Sequence, residues 1–274
     1  MKFMFDPLTL RPTRDIDPPP FHLFNQDGDA PFLLTCDHAS NALPLGYGSL
    51  GIAPEKMFEH IAWDVGAAAV TRQLSMMLDA PAILGGTSRL FVDLNRYPDD
   101  PTAVATHSDG VHVVGNEGLD QAEHAHRMEW HSRYHSELEN QLDRLCSRDN
   151  PKPPIIFVHS FTPVFANHRR PWHVGVLHNH DSPLSSHLLT ELQTDDRLVV
   201  GDNKPYSVDE PRSYSIFQHA IEQDREYIAL EIRQDLIENI SDAESWGEVL
   251  EPPLRRALGK IGIITGAKDT APAE

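Results

Sequence analysis

Short apolar runs alternate with longer amphipathic stretches along this chain, and the two patterns predict different elements. Apolar runs bounded by proline, glycine or charged residues are typical of buried strands. They lie at 31–36, 81–86, 89–95, 153–161, 172–179, 197–201 and 227–233. Helical patterns lie between them, at 64–79, 117–147, 183–193, 213–224 and 242–258. The alternation predicts an α/β fold, as a single three-layer αβα domain with a mixed, largely parallel central sheet.

The first 30 residues have a different composition. Five prolines stand there among polar residues: Pro7, Pro12, Pro18, Pro19 and Pro20. Such a segment cannot continue a helix or a central strand. We expect an extended arm over residues 1–30, one domain over 31–265 and a polar tail over 266–274, because no glycine/serine-rich or charged linker divides the domain.

The composition limits the partners. A formal net charge of −18, with no cluster of lysine and arginine, argues against binding nucleic acid. No apolar run approaches the roughly 18 residues of a membrane helix. Asp6, Arg11 and Arg14 interrupt the N-terminal stretch, where a signal peptide would need apolar residues. We therefore expect a cytoplasmic protein without a nucleic-acid or membrane partner. The sequence leaves the oligomeric state, a homo-oligomer included, open.

Three of the predicted strands end in polar residues that a core does not need. Asp37 and His38 follow the first run, His159 ends "IIFVH" and Glu231 interrupts "IALEIR". Ligands of open α/β sheets bind beyond the carboxyl ends of strands. Because Cys36 and Cys146 are the only cysteines, a metal would need histidine and carboxylate ligands. The pattern predicts a zinc site with His38 and His159 as ligands and Glu231 as the base.

The third ligand has two candidates. Asn41 follows His38 by three residues but offers only a neutral amide oxygen, whereas Asp64 brings a carboxylate at the start of a predicted helix. That carboxylate is equally suited to cap the helix. The buried charge of Glu231 needs compensation, by Arg233 or by the metal site.

Two other patterns carry weaker predictions. His124, His131 and His135 follow at spacings of seven and four within 117–147, so they share one face of a long helix. They could bind a metal, but histidines on the solvated side of the helix are the favoured interpretation. No Gly-x-Ser-x-Gly elbow occurs, which makes a serine hydrolase with Ser160 as nucleophile a minor alternative.

Seven motifs, spread over about residues 31–240, together resemble the N-formylglutamate amidohydrolase family. They are "DHAS", "WDVGAA", "SRLFVDLNR", "YHSEL", "FVHSFTP", "NKPYS" and "ALEIRQDLI". A broader resemblance links them to zinc carboxypeptidases and aspartoacylase. The resemblance implies a zinc-dependent amide hydrolase with a zinc-carboxypeptidase-like, or phosphorylase/hydrolase-like, fold.

The resemblance also implies roles for the metal-site residues. His38 and His159 correspond to the histidine ligands, and Glu231 corresponds to the general base that later protonates the leaving amine. Aspartoacylase has a glutamate where this chain has Asn41. We therefore expect Asp64 to be the third ligand.

Further residues of the motifs are implied to bind substrate. Asn95 and Arg96 would hold a carboxylate, for which the planar guanidinium is suited. Arg89 would stabilise the oxyanion. Asp93 would orient an arginine, although an ion-pair network among these charged side chains that ties a strand to its neighbours is the alternative. If 89–95 is a strand, positions 89, 93 and 95 share a face.

The "NKPYS" loop contributes Tyr206, and His219 follows it in the chain. These two residues are expected to close over the substrate; a surface turn fixed by Pro205 is the alternative.

The expected reaction is hydrolysis of N-formyl-L-glutamate to formate and L-glutamate. Two other functions stay open: hydrolysis of another N-acyl amino acid or a short peptide at the same site, and binding of an acidic metabolite without catalysis. Glu231 argues against pure binding, because binding alone needs no general base.

Overall fold

A computed structural model describes residues 4–147, 150–179, 182–208 and 212–264. It confirms the α/β class: a seven-stranded sheet is covered by helices on both faces. The predicted tail at 266–274 lies outside the described residues. Within the described part of the chain, no helix is long and apolar enough to cross a membrane.

The strands and helices are as follows in chain order. The strands are β1 (Phe21–Phe24), β2 (Leu33–Cys36), β3 (Ala82–Gly85), β4 (His107–Ser108), β5 (Val111–His112), β6 (Ile155–Phe161), β7 (Val164–Phe165), β8 (His168–Arg169), β9 (Val174–Leu177), β10 (Val200–Asp202) and β11 (Tyr227–Arg233). The helices are α1 (Ala67–Leu78), α2 (Gln121–Leu145), α3 (Pro183–Leu192), α4 (Tyr214–Ile216) and α5 (Ile240–Lys260). A π-helical turn, Phe217–Ile221, continues α4.

The sheet is mixed and largely parallel, in the order β1-β3-β2-β6-β11-β9-β10. Strands β3, β2, β6 and β11 run parallel to one another, whereas β1 and β9 pair antiparallel with their neighbours β3 and β11. The carboxyl ends of β2, β6 and β11 therefore meet at one edge of the sheet, where ligands of such folds bind.

Alternation along each strand builds a core on each face of the sheet. In β2, Leu33 belongs to the buried cluster that contains residues of α2, whereas Leu34 belongs to the cluster on the opposite face that contains residues of α1, α3 and α5. Both leucines are fully buried. The site is therefore attached to strand ends that are fixed on both sides.

The prediction of a strand at 89–95 was wrong. The amides of Phe91 and Val92 both donate to the carbonyl of Ser88, and the amide of Asp93 donates to Ala103. These bonds curl the segment into a compact loop. Its leucine, phenylalanine and valine side chains are buried although the backbone joins no sheet, which explains why the apolar run resembled a strand.

The sequence prediction also missed β1 and the environment of α2. Phe21–Phe24, within the predicted arm, is an edge strand of the sheet. The predicted solvated histidine face is exposed only at His124, because His131 and His135 are buried. They lie on the same helix face as Leu138 and Leu142, and that face packs on the sheet.

Candidate metal and substrate site

Polar residues from three adjacent strands meet at the carboxyl edge of the sheet. His38 lies two residues after the end of β2, and His159 in β6 stands opposite Glu231 in β11. On its other side Glu231 stands opposite Gly175 in β9. A Cβ at position 175 would overlap the carbonyl oxygen of Lys204. Glycine is therefore needed for the loop that carries Tyr206 to cross the sheet edge beside Glu231.

A cavity of about 400 Å³ opens at this edge, a volume suited to a small molecule. Eight of the nine residues predicted for the site line it: His38, Asp64, Arg89, Asn95, Arg96, His159, Tyr206 and Glu231.

Two backbone contacts bring Asp64 to the two histidines. The Asp64 amide donates to the carbonyl of His38 at 2.9 Å, and the Ser160 hydroxyl donates to the carbonyl of Val65 at 2.9 Å. The loop before α1 is thereby tied to both β2 and β6. As a result, the Asp64 carboxylate lies between the ends of these two strands.

The two imidazoles face one oxygen of this carboxylate. Nδ1 of His159 lies 2.9 Å and Nδ1 of His38 lies 3.4 Å from Oδ2 of Asp64. One ligand atom from each of the three buried residues falls within 4.8 Å of the others. Two nitrogens and a carboxylate oxygen form the donor set that zinc commonly takes in catalytic sites.

The alternatives for the third ligand differ in their contacts. Gly66, with φ 80°, is the N-cap of α1, and no side chain caps the helix, so the capping alternative for Asp64 is wrong. The amide nitrogen of Asn41 donates to the carbonyl of Met57 at 2.8 Å. Asn41 does not line the cavity, and its side-chain oxygen is buried without a hydrogen-bond partner among the described residues.

The far nitrogen of each histidine faces another carboxylate. Nε2 of His38 lies 2.7 Å from Oδ1 of Asp93, and Nε2 of His159 lies 3.7 Å from Oδ2 of Asp37. Tyr134 donates to the other oxygen of Asp37 at 2.7 Å. Asp93 was expected to orient an arginine; its hydrogen bond to a side chain is instead with His38. Histidines that bind metals in proteins are typically backed by carboxylates in this way.

Several buried polar atoms of the site lack hydrogen-bond partners within the described chain. Nδ1 of His38 and Oε2 of Glu231 are two of them, and their residues are 4% and 7% exposed. Burial of an unsatisfied polar atom is unfavourable. A divalent cation held by His38, Asp64 and His159 would satisfy the first atom, and a water beside it the second. The residues present therefore fit a metal.

The charges of the site shift its pKa values strongly. Burial raises the pKa of Glu231 to about 7, with a further contribution from Asp64. Burial alone would lower the pKa of His159, but the hydrogen bond with Asp64 raises it to about 9. Burial would raise the pKa of Asp64, yet Arg89 and the two histidines hold it well below its usual range. Strongly shifted groups in a cleft are typical of functional sites.

Arg89 and Arg233 have different partners from those considered in the sequence. The guanidinium of Arg89 donates to Oδ1 of Asp64, while its Nε is buried without a partner among the described residues. Arg233 pairs with Asp235 at 2.7 Å. The contact predicted as one way to compensate Glu231 is therefore not formed, which leaves the metal site for that purpose.

Asn95, Arg96 and Tyr206 line the cavity as expected. Oδ1 of Asn95 accepts from the amide of Ser215 at 3.1 Å, which fixes the orientation of the side-chain amide. NH1 of Arg96 donates to the carbonyls of Asn95 and Arg212, at 3.0 and 3.1 Å. Backbone contacts thus hold both predicted carboxylate-binding side chains at the cavity wall.

His219, predicted to close over the substrate, does not line the cavity. It is 1% exposed, and its Nε2 lies 2.9 Å from Nδ1 of His135. The π-helical turn directs this side chain against α2 and away from the cavity.

Sequence reasoning missed several side chains at or beside the site, including Arg212 in the cavity lining. Nδ1 of His60 lies 3.5 Å from Oδ1 of Asp64, and His60 lines the cavity. Arg170 donates to the hydroxyl of Tyr206 at 2.9 Å. Tyr134 was missed as well. Of these residues, only Tyr134 could have been found from the sequence, because it belongs to the "YHSEL" motif.

Comparisons with known proteins agree with this architecture. A family model for N-formylglutamate amidohydrolase matches residues 30–238, more than half of the chain. Gene product Atu2144 from Agrobacterium tumefaciens is 31% identical, with a TM-score of 0.83 over 88% of this chain and 95% of that one. None of the curated proteins matches this chain in sequence.

Two further crystal structures are more distant. The N-formylglutamate amidohydrolase from Ralstonia eutropha is 19% identical, with a TM-score of 0.61 over 87% of this chain and 97% of that one, and shares the fold. An aspartoacylase family protein from Mesorhizobium loti is 14% identical, with a TM-score of 0.36 over 90% of this chain and 62% of that one.

Proposed function

The chain belongs to the N-formylglutamate amidohydrolase family, and from this premise we propose that it is a zinc-dependent enzyme that hydrolyses N-formyl-L-glutamate, or a related N-acyl acidic amino acid. The products would be L-glutamate and formate, or the corresponding acid. One observation carries the proposal. Two buried histidines direct Nδ1 toward the same oxygen of Asp64, and carboxylates face the other nitrogen of each ring.

His38, Asp64 and His159 would hold the ion. When bound, zinc supplies a Lewis acid that polarises a carbonyl group and lowers the pKa of a water. Asp93 and Asp37 would orient the two rings, since each lies beside the nitrogen that does not face the site.

Glu231 is the proposed general base. It stands opposite His159 across the β6–β11 pair, and its pKa of about 7 suits a group that takes and returns a proton near neutral pH. It would take a proton from the attacking water and then give it to the leaving nitrogen as the C–N bond breaks.

Arginines would recognise the charges of the substrate. Although the protein carries a formal net charge of −18, three arginines, Arg89, Arg96 and Arg212, line the cavity. We assign the substrate carboxylate to Arg96 with Asn95, because both are held at the wall by backbone contacts. Arg89 would stabilise the negative charge that develops on the carbonyl oxygen.

The test combines metal analysis with turnover. Formate release from N-formyl-L-glutamate is measured before chelation, after it and after zinc add-back. The comparators are N-formyl-L-aspartate, by formate release, and N-acetyl-L-glutamate, by acetate release. We expect one zinc per chain and chelator-sensitive release. Glu231→Gln should retain zinc while losing at least a hundredfold in kcat, whereas the exposed control Glu129→Gln should match the wild type.

Two outcomes would contradict the proposal at different points. Stoichiometric zinc without turnover of any of the three acids would remove the assigned reaction but leave the metal site. Turnover that survives complete removal of metal would remove the zinc mechanism itself.

A further inference from the structure

A buried group of three histidines lies next to the substrate site without lining it. His131 and His135 come from α2, and His219 comes from the π-helical turn. The rings of His131 and His135 lie 4.3 Å apart, and those of His135 and His219 are stacked at 5.1 Å with an interplanar angle of 15°. The metal site uses none of them.

Their hydrogen bonds fix which nitrogen carries the proton. Nε2 of His135 lies 2.8 Å from the carbonyl oxygen of Leu94, which can only accept, so Nε2 is the donor. Burial lowers the pKa of His135 well below its usual value, so the ring is neutral and its Nδ1 accepts. His219 must then donate to it from Nε2, at 2.9 Å.

α2 also donates a hydrogen bond to a second carbonyl of the loop that contains Asn95 and Arg96. Nε2 of His131 lies 3.0 Å from the carbonyl oxygen of Arg96 and donates to it. The carbonyls of Leu94 and Arg96 are therefore both fixed from α2, on either side of Asn95. Ser215 completes the support, because its amide donates to Oδ1 of Asn95.

This support matters because the loop has no strand to hold it. Its backbone joins no sheet, so the place of Asn95 and Arg96 depends on such individual bonds. The bond to Leu94 is buried and the bond to Arg96 is part-buried. Loss of the histidine removes the donor from the Arg96 carbonyl and leaves the Leu94 carbonyl only the Ser215 hydroxyl at 3.4 Å.

We infer that His131 and His135, the latter oriented by His219, are positioning residues that hold Asn95 and Arg96 in place to bind the carboxylate of the substrate. The inference rests on the proposed function for the role of Asn95 and Arg96. The three histidines would affect the affinity for the substrate acid, whereas the metal site would carry out the hydrolysis.

The experiment compares leucine and glutamine at the two helix positions. His135→Gln and His131→Gln keep a donor amide near the place of Nε2, whereas His135→Leu and His131→Leu do not. We expect the leucine variants to raise KM for N-formyl-L-glutamate at least tenfold while kcat changes less than threefold. The glutamine variants should recover much of the loss, and zinc content should be unchanged in all four.

Binding is also measured without turnover. Calorimetry of N-formyl-L-glutamate with Glu231→Gln protein should show the same tenfold loss on adding His135→Leu. In the wild type, nitrogen-15 spectra should show His135 protonated at Nε2. Circular dichroism and thermal melting identify any variant that has not folded. If the variants at one of the two helix positions do not fold, those at the other position provide the test.

The outcomes separate this inference from the proposed function. If the wild type binds the acid without hydrolysing it, the proposed reaction fails, but calorimetry still tests the histidines. If the leucine variants lose kcat or zinc while KM and binding stay unchanged, or if glutamine and leucine behave alike, the positioning role is overturned. If the wild type binds no acid, both assignments fall.

Discussion

Replacing Asp93 with asparagine should weaken zinc binding without removing a ligand. Oδ1 of Asp93 lies 2.7 Å from Nε2 of His38, and the two side chains are 9% and 5% exposed. Asparagine keeps an oxygen that can accept this bond and the bond from the amide of Asn95, but it removes the charge that makes the imidazole a stronger ligand. The change thus isolates the effect of the carboxylate.

The expected size follows from the burial of the pair. Loss of a partner behind a metal-binding histidine typically lowers metal affinity 10–100-fold, or about 1.4–2.7 kcal/mol. Because little water reaches Asp93 to replace its charge, we expect a value in the upper half of this range. Zinc affinity is measured by competition with a chromophoric chelator, with wild type and Asp100→Asn as references. Asp100 is an aspartate of the same region whose carboxylate accepts from Thr102, and it does not line the cavity.

The reasoning is refuted if Asp93→Asn binds zinc within threefold of the wild type. It also fails if Asp100→Asn shows an equal loss, because the effect would then belong to the net charge of the protein. His38→Ala, which removes a proposed ligand, should lower the affinity by more than either substitution.

Three further predictions address other parts of the site. Zinc affinity should rise with pH up to about 9, because the hydrogen bond with Asp64 raises the pKa of His159 to about 9 and the protonated ring must lose a proton before it binds metal; competition titrations at pH 6.5, 7.5 and 8.5 would contradict this if they gave one affinity. Gly175→Ala should raise KM several-fold and lower Tm, because the new methyl group displaces the loop at Lys204; unchanged kinetics and melting would show that the loop approach is unimportant. Tyr134→Phe should lower the free energy of unfolding by about 1–3 kcal/mol, because it leaves Asp37 without its 2.7 Å hydrogen bond; urea denaturation that gives the wild-type value would contradict this.

The sequence was informative where physical rules act locally. Apolar runs such as 227–233 predicted buried strands correctly, and the rule that ligands bind at the carboxyl ends of parallel strands brought His38, His159 and Glu231 together. The pairing of β2 with β6 and of β6 with β11 fixes the distances between the strand ends that carry these three residues. The residue pattern alone left Asn41 and Asp64 open as the third ligand, because their surroundings depend on a loop, and only the family resemblance favoured Asp64.

The sequence predictions were wrong where buried side chains belong to an irregular segment of the backbone. The loop at 89–95 is apolar because it is buried, yet hydrogen bonds to Ser88 and Ala103 make it a turn. The partner of Asp93 depends on that turn, so it could not be read from strand geometry. The burial of His131 and His135 could have been predicted from the sequence, because both residues lie on the same face of α2 as Leu138.

A zinc-loaded crystal structure, with anomalous scattering recorded at the zinc edge, tests the central claim most directly. We expect one strong anomalous peak bound by Nδ1 of His38, Nδ1 of His159 and a carboxylate oxygen of Asp64, at about 2.0–2.2 Å, with Glu231 nearby and not bound. A peak at another place, or coordination through Nε2 of either histidine, would contradict the site on which the proposed function rests.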